Sequence, residues 1–374
     1  MQRNKNELDV DLFGVKGHRS VKKFLASLDL PNLENTLNYE NFRLICNALF
    51  PPNEIKQNDD RIRNIFDLFD DDHDGILKGQ EWKIRLLQVT CTPNFPKLQL
   101  FIKCRFHEWL QMTIVPVNVL LIVDVQNDFI DGTLALRDFE SNQDGFDVVG
   151  PINRLTKYGL FDKVIYSMDC HPENHISFHE NLHLREIHPE SKVSKENAKV
   201  FDSVTFAKAC MEQILWPKHC VMNTWGAQLH KDLVIVPGSE QVKKGTHPEK
   251  DAYSVFAATD SAGVSKLEQM LRELGTTQLF VCGLAYDVCL KETCLDGLRL
   301  GYPVAVIDDC CRGVNLKNID AAKHLIIDNG GLIAITDKIL SLVNTEERSL
   351  IMSHRSAKKI ASISSSRSIM TASE

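Results

Sequence analysis

The chain has no long hydrophobic run. Asp, Asn or Pro interrupts each apolar stretch of its 374 residues before it reaches the ~20 residues a bilayer-spanning helix needs. The opening Met1-Gln2-Arg3-Asn4-Lys5 lacks the apolar core of a signal peptide. Positive charge is not in excess either: the net charge is −7, which gives no electrostatic attraction to nucleic acid or to an anionic membrane. Eleven cysteines are present, but their odd number and irregular spacing exclude a disulfide framework. They read as reduced thiols in the cytoplasm, with the nucleus as the alternative. What remains is ordinary for a globular protein, with 43% hydrophobic and 25% charged residues. The length suffices for an α/β domain of about two hundred residues and a smaller companion.

Three regions differ in pattern. Residues 1–112 carry apolar positions at helical spacing in Val21–Leu28, Phe42–Phe50 and Ile62–Phe69. Residues 113–343 alternate apolar strands (Val119–Val123, Lys163–Met168, Leu233–Val236, Gln278–Cys282, Val304–Ile307, Leu332–Ile335) with amphipathic helices (Val148–Tyr158, Ala262–Leu274, Tyr286–Leu300, Leu316–Asp328). Such alternation predicts an α/β fold, a three-layer α/β/α sandwich around a mostly parallel sheet. Residues 344–374 are rich in serine and poor in large apolar residues, which predicts a disordered tail. Within it, Lys358-Lys359-Ile360-Ala361-Ser362 has the pattern of a site for a basic-directed kinase.

Residues 70–81 match a twelve-residue calcium loop. Oxygen ligands fall at Asp70, Asp72, Asp74, the Ile76 carbonyl and Glu81, with Gly75 at the sharp turn. Lys78 at the ninth position replaces a usual water-bridging oxygen with a positive charge, so it weakens the expected affinity. The flanking runs Ile62–Phe69 and Trp82–Leu87 would supply two helices, making residues 1–112 a small helical EF-hand domain ahead of the sandwich. Residues 30–41 read as its degenerate partner loop, with Leu37 aligned to Leu77, because Leu30, Pro31 and Leu33 cannot ligate through side chains.

The strand Leu120–Val123 ends on Asp124, followed by Val125-Gln126-Asn127-Asp128-Phe129. Ligands of open α/β sheets bind beyond the carboxyl ends of the strands, so Asp124 stands where chemistry is expected. Cys289 follows another apolar strand at the start of a helix, where the dipole and free N–H groups favour a thiolate. An Asp base alone cannot take its proton. With reference values of about 3.9 and 8.5, the transfer is uphill by about 6 kcal/mol. Lys244 is the candidate cation that closes this gap. Asp169 and His171, alternating on one extended segment, can point the same way. With His219 they form an imidazole–carboxylate set suited to zinc first, and to iron or manganese as alternatives.

Five segments carry a family likeness: Asp124–Phe129, Asp169-Cys170-His171-Pro172-Glu173-Asn174-His175, Trp216-Pro217-Lys218-His219-Cys220, Lys243-Lys244-Gly245 with Tyr253-Ser254, and Gly283-Leu284-Ala285-Tyr286-Asp287-Val288-Cys289. In order and spacing, residues 113–343 resemble the nicotinamidase (pyrazinamidase) branch of the isochorismatase-like cysteine hydrolases. The resemblance implies an Asp124–Lys244–Cys289 triad and an oxyanion hole from the N–H groups of Ala285 and Cys289 beside a cis peptide at Leu284–Ala285. It also implies a metal on Asp169, His171 and His219, with His175 as a fourth ligand in some members. Phe129 and Trp216, and less directly Tyr253, would sandwich a flat ring. Cys170 departs from the tryptophan common between the metal Asp and His, which bears on local packing and on no ligand.

The expected activity is hydrolysis of nicotinamide to nicotinate and ammonia through a cysteine thioester, in NAD salvage. The alternatives are another carboxamide or ureido hydrolase of this family, or a calcium-responsive binding protein on an enzyme scaffold. The expected partner is the small-molecule substrate; a homo-oligomer and a calcium-dependent protein partner are compatible with it.

Overall fold

Between residues 118 and 334, six strands pair into one sheet, every neighbour parallel. They are β1 (Asn118–Val123), β2 (Lys163–Asp169), β3 (Glu240–Lys244), β4 (Gln278–Gly283), β5 (Val304–Cys311) and β6 (Leu332–Ala334), in the order β6-β5-β4-β1-β2-β3. The computed structural model describes Val21, residues 23–28, 36–78, 85–88, 99–102, 105–345 and 347–371. β1 and β4 lie at the centre and are buried along their whole length, as strands covered on both faces must be. Helices α1 (Val149–Tyr158), α2 (Lys266–Glu273), α3 (Lys291–Arg299) and α4 (Leu316–Asp328) alternate with the strands. Local chemistry sets their starts: the Ser265 hydroxyl accepts from Glu268 N, and the Asn315 side chain accepts from Lys317 N and Asn318 N.

The edge strand differs from expectation. Leu233–Val236 is irregular, with Val234 and Ile235 exposed, and Glu240–Lys244 takes the place beside β2. An edge strand buries little, and β3 alternates exposed and buried residues at its inner end, so apolar density was a poor guide there.

Two compact units divide the chain. One holds residues 118–300 and 304–340; the other holds the described residues up to Val117, Gly301–Pro303 and residues from Ser341 onward. In the second unit, strands Thr36–Asn38 and Ile76–Lys78 pair antiparallel with Leu37 opposite Leu77. Helices Tyr39–Leu49, Asp59–Asp67 and Arg105–Ile114 surround a core of Phe42, Phe66, Phe69, Phe106 and Trp109. Two expectations fail here. No helix covers Trp82–Leu87 among the described residues; Arg85–Gln88 is a strand paired with Gln99–Ile102, whose backbone satisfies its N–H and C=O groups.

The tail is not disordered either. Leu350–Thr371 forms a helix, and Leu350, Ala357 and Ile360, spaced along one face, join the aromatic core. Trp109 Nε1 donates to Ser353 O at 2.8 Å, and Leu350 N donates to Glu54 Oε2 at 2.7 Å. Ser356 and Ser362 bond their hydroxyls backward within the helix, to Met352 O and Lys359 O. The kinase-like motif lies inside this helix with Ile360 buried, not on an extended segment.

Candidate active site

Four strand ends of the α/β unit converge. The strand order reverses between β1 and β4, the position where α/β sheets open a crevice. Asp124 follows β1, Asp169 ends β2, Lys244 ends β3 opposite Asp169, and Cys289 follows β4. Asp124 adopts φ +50°, uncommon for a residue with a side chain. Its carboxylate accepts from Ser167 Oγ at 2.6 Å and lies 2.9 Å from Lys244 Nζ. The Lys244 ammonium also donates to Asp169 Oδ1 at 2.5 Å and to Cys289 Sγ at 3.3 Å. Lys244 is fully buried, so this one cation neutralises two buried carboxylates and touches the thiol.

Two glycines make this convergence possible. Gly283 has φ +116°, and a Cβ there would stand 2.1 Å from Val123 O. At Gly245 (φ +65°), a Cβ would fall 2.3 Å from His171 Cε1. The glycine after Lys244 therefore admits the imidazole of His171, whose Nδ1 donates to Gly245 O at 2.9 Å.

Cys289 sits within a single wide turn, Tyr286–Leu290, in which Leu290 N reaches back five residues to Ala285 O at 3.1 Å. Helix α3 starts only at Lys291, so the thiol is not in the first turn of a regular helix, as expected, but in a π-type turn ahead of it. Such turns are frequent at functional sites. The Leu284–Ala285 peptide is cis.

Asp169, His171 and His219 place one ligand atom each within 4.8 Å of one another. His219 Nδ1 donates to Pro217 O at 2.8 Å. In both histidines the carbonyl partner takes Nδ1–H and leaves Nε2 to ligate, the usual arrangement around a bound metal. Two imidazoles and a carboxylate, all buried, fit a transition metal by donor chemistry. His175 stacks on the His171 ring at 4.2 Å, but its Nδ1 pairs with Ser177 Oγ at 2.7 Å and its Nε2 faces Lys250 O at 3.4 Å. It groups instead with His171 and Asp251.

Charge in this cluster follows burial and Lys244. Burial raises the Asp124 carboxyl, with Lys244 opposing. Asp169, although buried, is held well below the usual carboxylate range by Lys244 and the two histidines. Burial would lower the Lys244 ammonium, but Asp124 and Asp169 push it well up, so it stays charged. Burial, joined by the two carboxylates, pushes the Cys289 thiol up more strongly than Lys244 pulls it down. Burial and the two carboxylates thus work against the thiolate that Lys244, at 3.3 Å, favours. Burial and His171 bring His219 down to about 4, which keeps its imidazole neutral and able to ligate.

One cavity joins these groups. Phe129, Trp216 and Tyr253 line it together with Asp169, His171, His219, Ala285 and Cys289. Trp216 Nε1 donates to the Tyr253 hydroxyl at 3.1 Å, so Tyr253 anchors one wall as well as lining it. Sequence reasoning missed the lining residues Asp251, Phe139 and Val314. Asp251 could have been found two positions before Tyr253 in a segment already singled out; nothing in sequence marked Phe139 or Val314.

Fold and site together define a parallel α/β protein with a buried thiol–lysine–carboxylate centre beside a histidine–carboxylate group. The isochorismatase domain family matches residues 118–337, and the chain belongs to this family. It is 37% identical over 211 residues to the nicotinamidase of Escherichia coli (strain K12), covering 56% of this chain and 89% of that protein. To the Saccharomyces cerevisiae nicotinamidase it is 31% identical over 206 residues, covering 53% and 89%. A solved nicotinamidase/pyrazinamidase structure from Acinetobacter baumanii superposes with a TM-score of 0.50 at 31% identity, covering 60% of this chain and 98% of that one.

Proposed function

We propose that the chain is a nicotinamidase, hydrolysing nicotinamide to nicotinate and ammonia in NAD salvage. The observation that carries this reading is the buried ammonium of Lys244 at 2.9 Å from Asp124, 2.5 Å from Asp169 and 3.3 Å from Cys289, the last two of which line an aromatic-walled cavity. The nicotinamidases of similar sequence support the substrate.

In this reading, Asp124 takes the Cys289 proton as the sulfur attacks the carboxamide carbon. Burial disfavours charge on sulfur and Lys244 offsets it, so the charge passes to the carbonyl oxygen as the C–S bond forms. The raised Asp124 carboxyl favours the proton transfer, while the raised thiol opposes it. Backbone N–H groups of Ala285 and Cys289 would hold the oxyanion. Collapse breaks the C–N bond, and Asp124 returns the proton to the departing ammonia. Asp124 then takes a proton from water, which attacks the thioester and releases nicotinate and the thiol. Phe129 and Trp216 hold the flat ring between them. A transition metal, zinc by donor chemistry with iron or manganese as alternatives, would be held by Asp169, His171 and His219 and supply an anchoring contact for the pyridine nitrogen. Ammonia release from nicotinamide by the purified metal-loaded protein tests the reading. It should vanish in Cys289→Ala; an active Cys289→Ala variant overturns the mechanism.

Residues 70–78 support a calcium loop in the other unit. Asp70 is buried with its Oδ1 free of any hydrogen bond, and ligand atoms of Asp70, Asp72 and Asp74 lie within 4.8 Å of one another. Gly75 (φ +83°) makes the turn, and its N–H donates to Asp70 Oδ2 at 3.0 Å. Lys78 bonds Asp74 and lies 3.2 Å from Asp72, a tethered cation among the ligands. Glu81 lies outside the described residues. Calcium calorimetry on the full chain tests this site.

A further inference from the structure

We propose that Phe201 is the outer leaf of an aromatic gate over the active-site cavity and sets the size of ring the enzyme accepts. The inference rests on the nicotinamidase reading and goes beyond it, since Phe201 lies in none of the five segments that carry the family likeness.

The backbone of Phe201 is held in an unusual conformation. Its φ is +74°, a genuine outlier for a bulky residue. Residues in such regions persist where surrounding structure holds them, and they cluster at ligand clamps. Here Phe201 N donates to Leu215 O at 2.6 Å, and Leu215 N donates to Asp202 O at 2.9 Å. These two bonds fix Phe201 beside Trp216, the next residue along and a cavity wall.

The ring packs against two residues that line the cavity. It meets Trp216 edge-on at 5.7 Å and Phe139 at 5.3 Å. Both partners line the cavity, and they come from separate segments of the chain. Phe201 is half exposed, so it clasps these walls from outside. The space they line, about 450 Å³ including its opening to solvent, leaves only about 30 Å³ for the centres of water-sized molecules, a narrow fit for a pyridine carboxamide. Phe129 and Trp216 are buried, and Trp216 is tied to Tyr253. Phe139 is only half-buried and Phe201, packed against it, half exposed, so this pair is the less tightly packed side of the cavity.

Two measurements on the full chain test the gate. In turnover, Phe201→Ala should raise KM for nicotinamide about tenfold without lowering kcat. It should also improve kcat/KM for the fused-ring quinoline-3-carboxamide relative to nicotinamide by about tenfold or more, a change typical of reshaping an apolar pocket. Phe201→Tyr should restore wild-type selectivity. Phe201→Gly, which removes the ring while suiting the positive φ, should behave as Phe201→Ala. If Phe201→Gly keeps wild-type selectivity, or all variants share it, the gate is refuted. The second measurement needs no turnover: alkylation of Cys289 followed by peptide mapping. Phe201→Ala should speed modification by a bulky N-arylmaleimide about tenfold while leaving iodoacetamide little changed; equal rates for both proteins refute the gate. A wild-type protein that releases no ammonia refutes the nicotinamidase reading, and the alkylation ratio then still decides on the gate.

Discussion

Replacing Lys244 with methionine isolates the role of the central cation. The side chain keeps its length and loses its charge, so packing is largely preserved. Asp124 and Asp169 are then left facing each other, both buried, without their shared partner. Breaking a buried ion pair from one side costs about 3–5 kcal/mol, and here one substitution strips two carboxylates. The loss should depend on pH with a definite sign. In the native protein the Asp169 carboxyl is held low, so its stabilisation is fully present above the unfolded value of about 3.9 and fades as pH falls through the folded value. In Lys244→Met the largest part of that depression is lost, and Asp124, already raised by burial, rises further. The variant should therefore be weakest against the native protein near neutral pH. The deficit should shrink as pH falls toward about 4 and the carboxylates protonate. Hydrogen exchange of the β4 amides Leu279–Cys282 in chelator-treated protein would read it within the α/β unit. A deficit independent of pH, or none, refutes the shared-cation account.

Three further outcomes follow from the geometry. Because burial raises the Asp124 carboxyl, the acid limb of kcat/KM should fall at a pH clearly above about 3.9, the reference value; a limb at or below it contradicts Asp124 as base. Gly245→Ala places a Cβ against the His171 ring and should weaken metal affinity by about tenfold or more, read by chelator competition. Lys78→Gln removes the tethered ammonium from Asp72 and Asp74 and should tighten calcium binding in calorimetry; unchanged or weaker binding argues against a calcium loop.

Much of the α/β unit was legible because its central strands are apolar runs that both faces must cover, as in Leu120–Val123 and Gln278–Cys282. Edge strand β3 was not, since a strand buried on one side carries only two inward residues, Val242 and Lys244. Asp124, Lys244 and Cys289 could be named in advance because each stands at a strand-to-loop change beside a motif. The electrostatic surroundings of Cys289 could not: burial and two carboxylates oppose one ammonium there, and sequence carries no distances. The helical tail was missed for a related reason. The residues it adds to the aromatic core, Leu350, Ala357 and Ile360, are too sparse among serines to read as a face until that core is known.

That closing helix has a consequence for synthesis. The core containing Phe42 and Trp109 also needs residues 350 to 360, which leave the ribosome only after the entire α/β segment. Although its first helices are translated early, the unit they begin is completed late, and the intervening sheet has its chance to form first. A premature stop soon after residue 340 would therefore spare the catalytic sheet and leave the unit begun before it with an open hydrophobic seam.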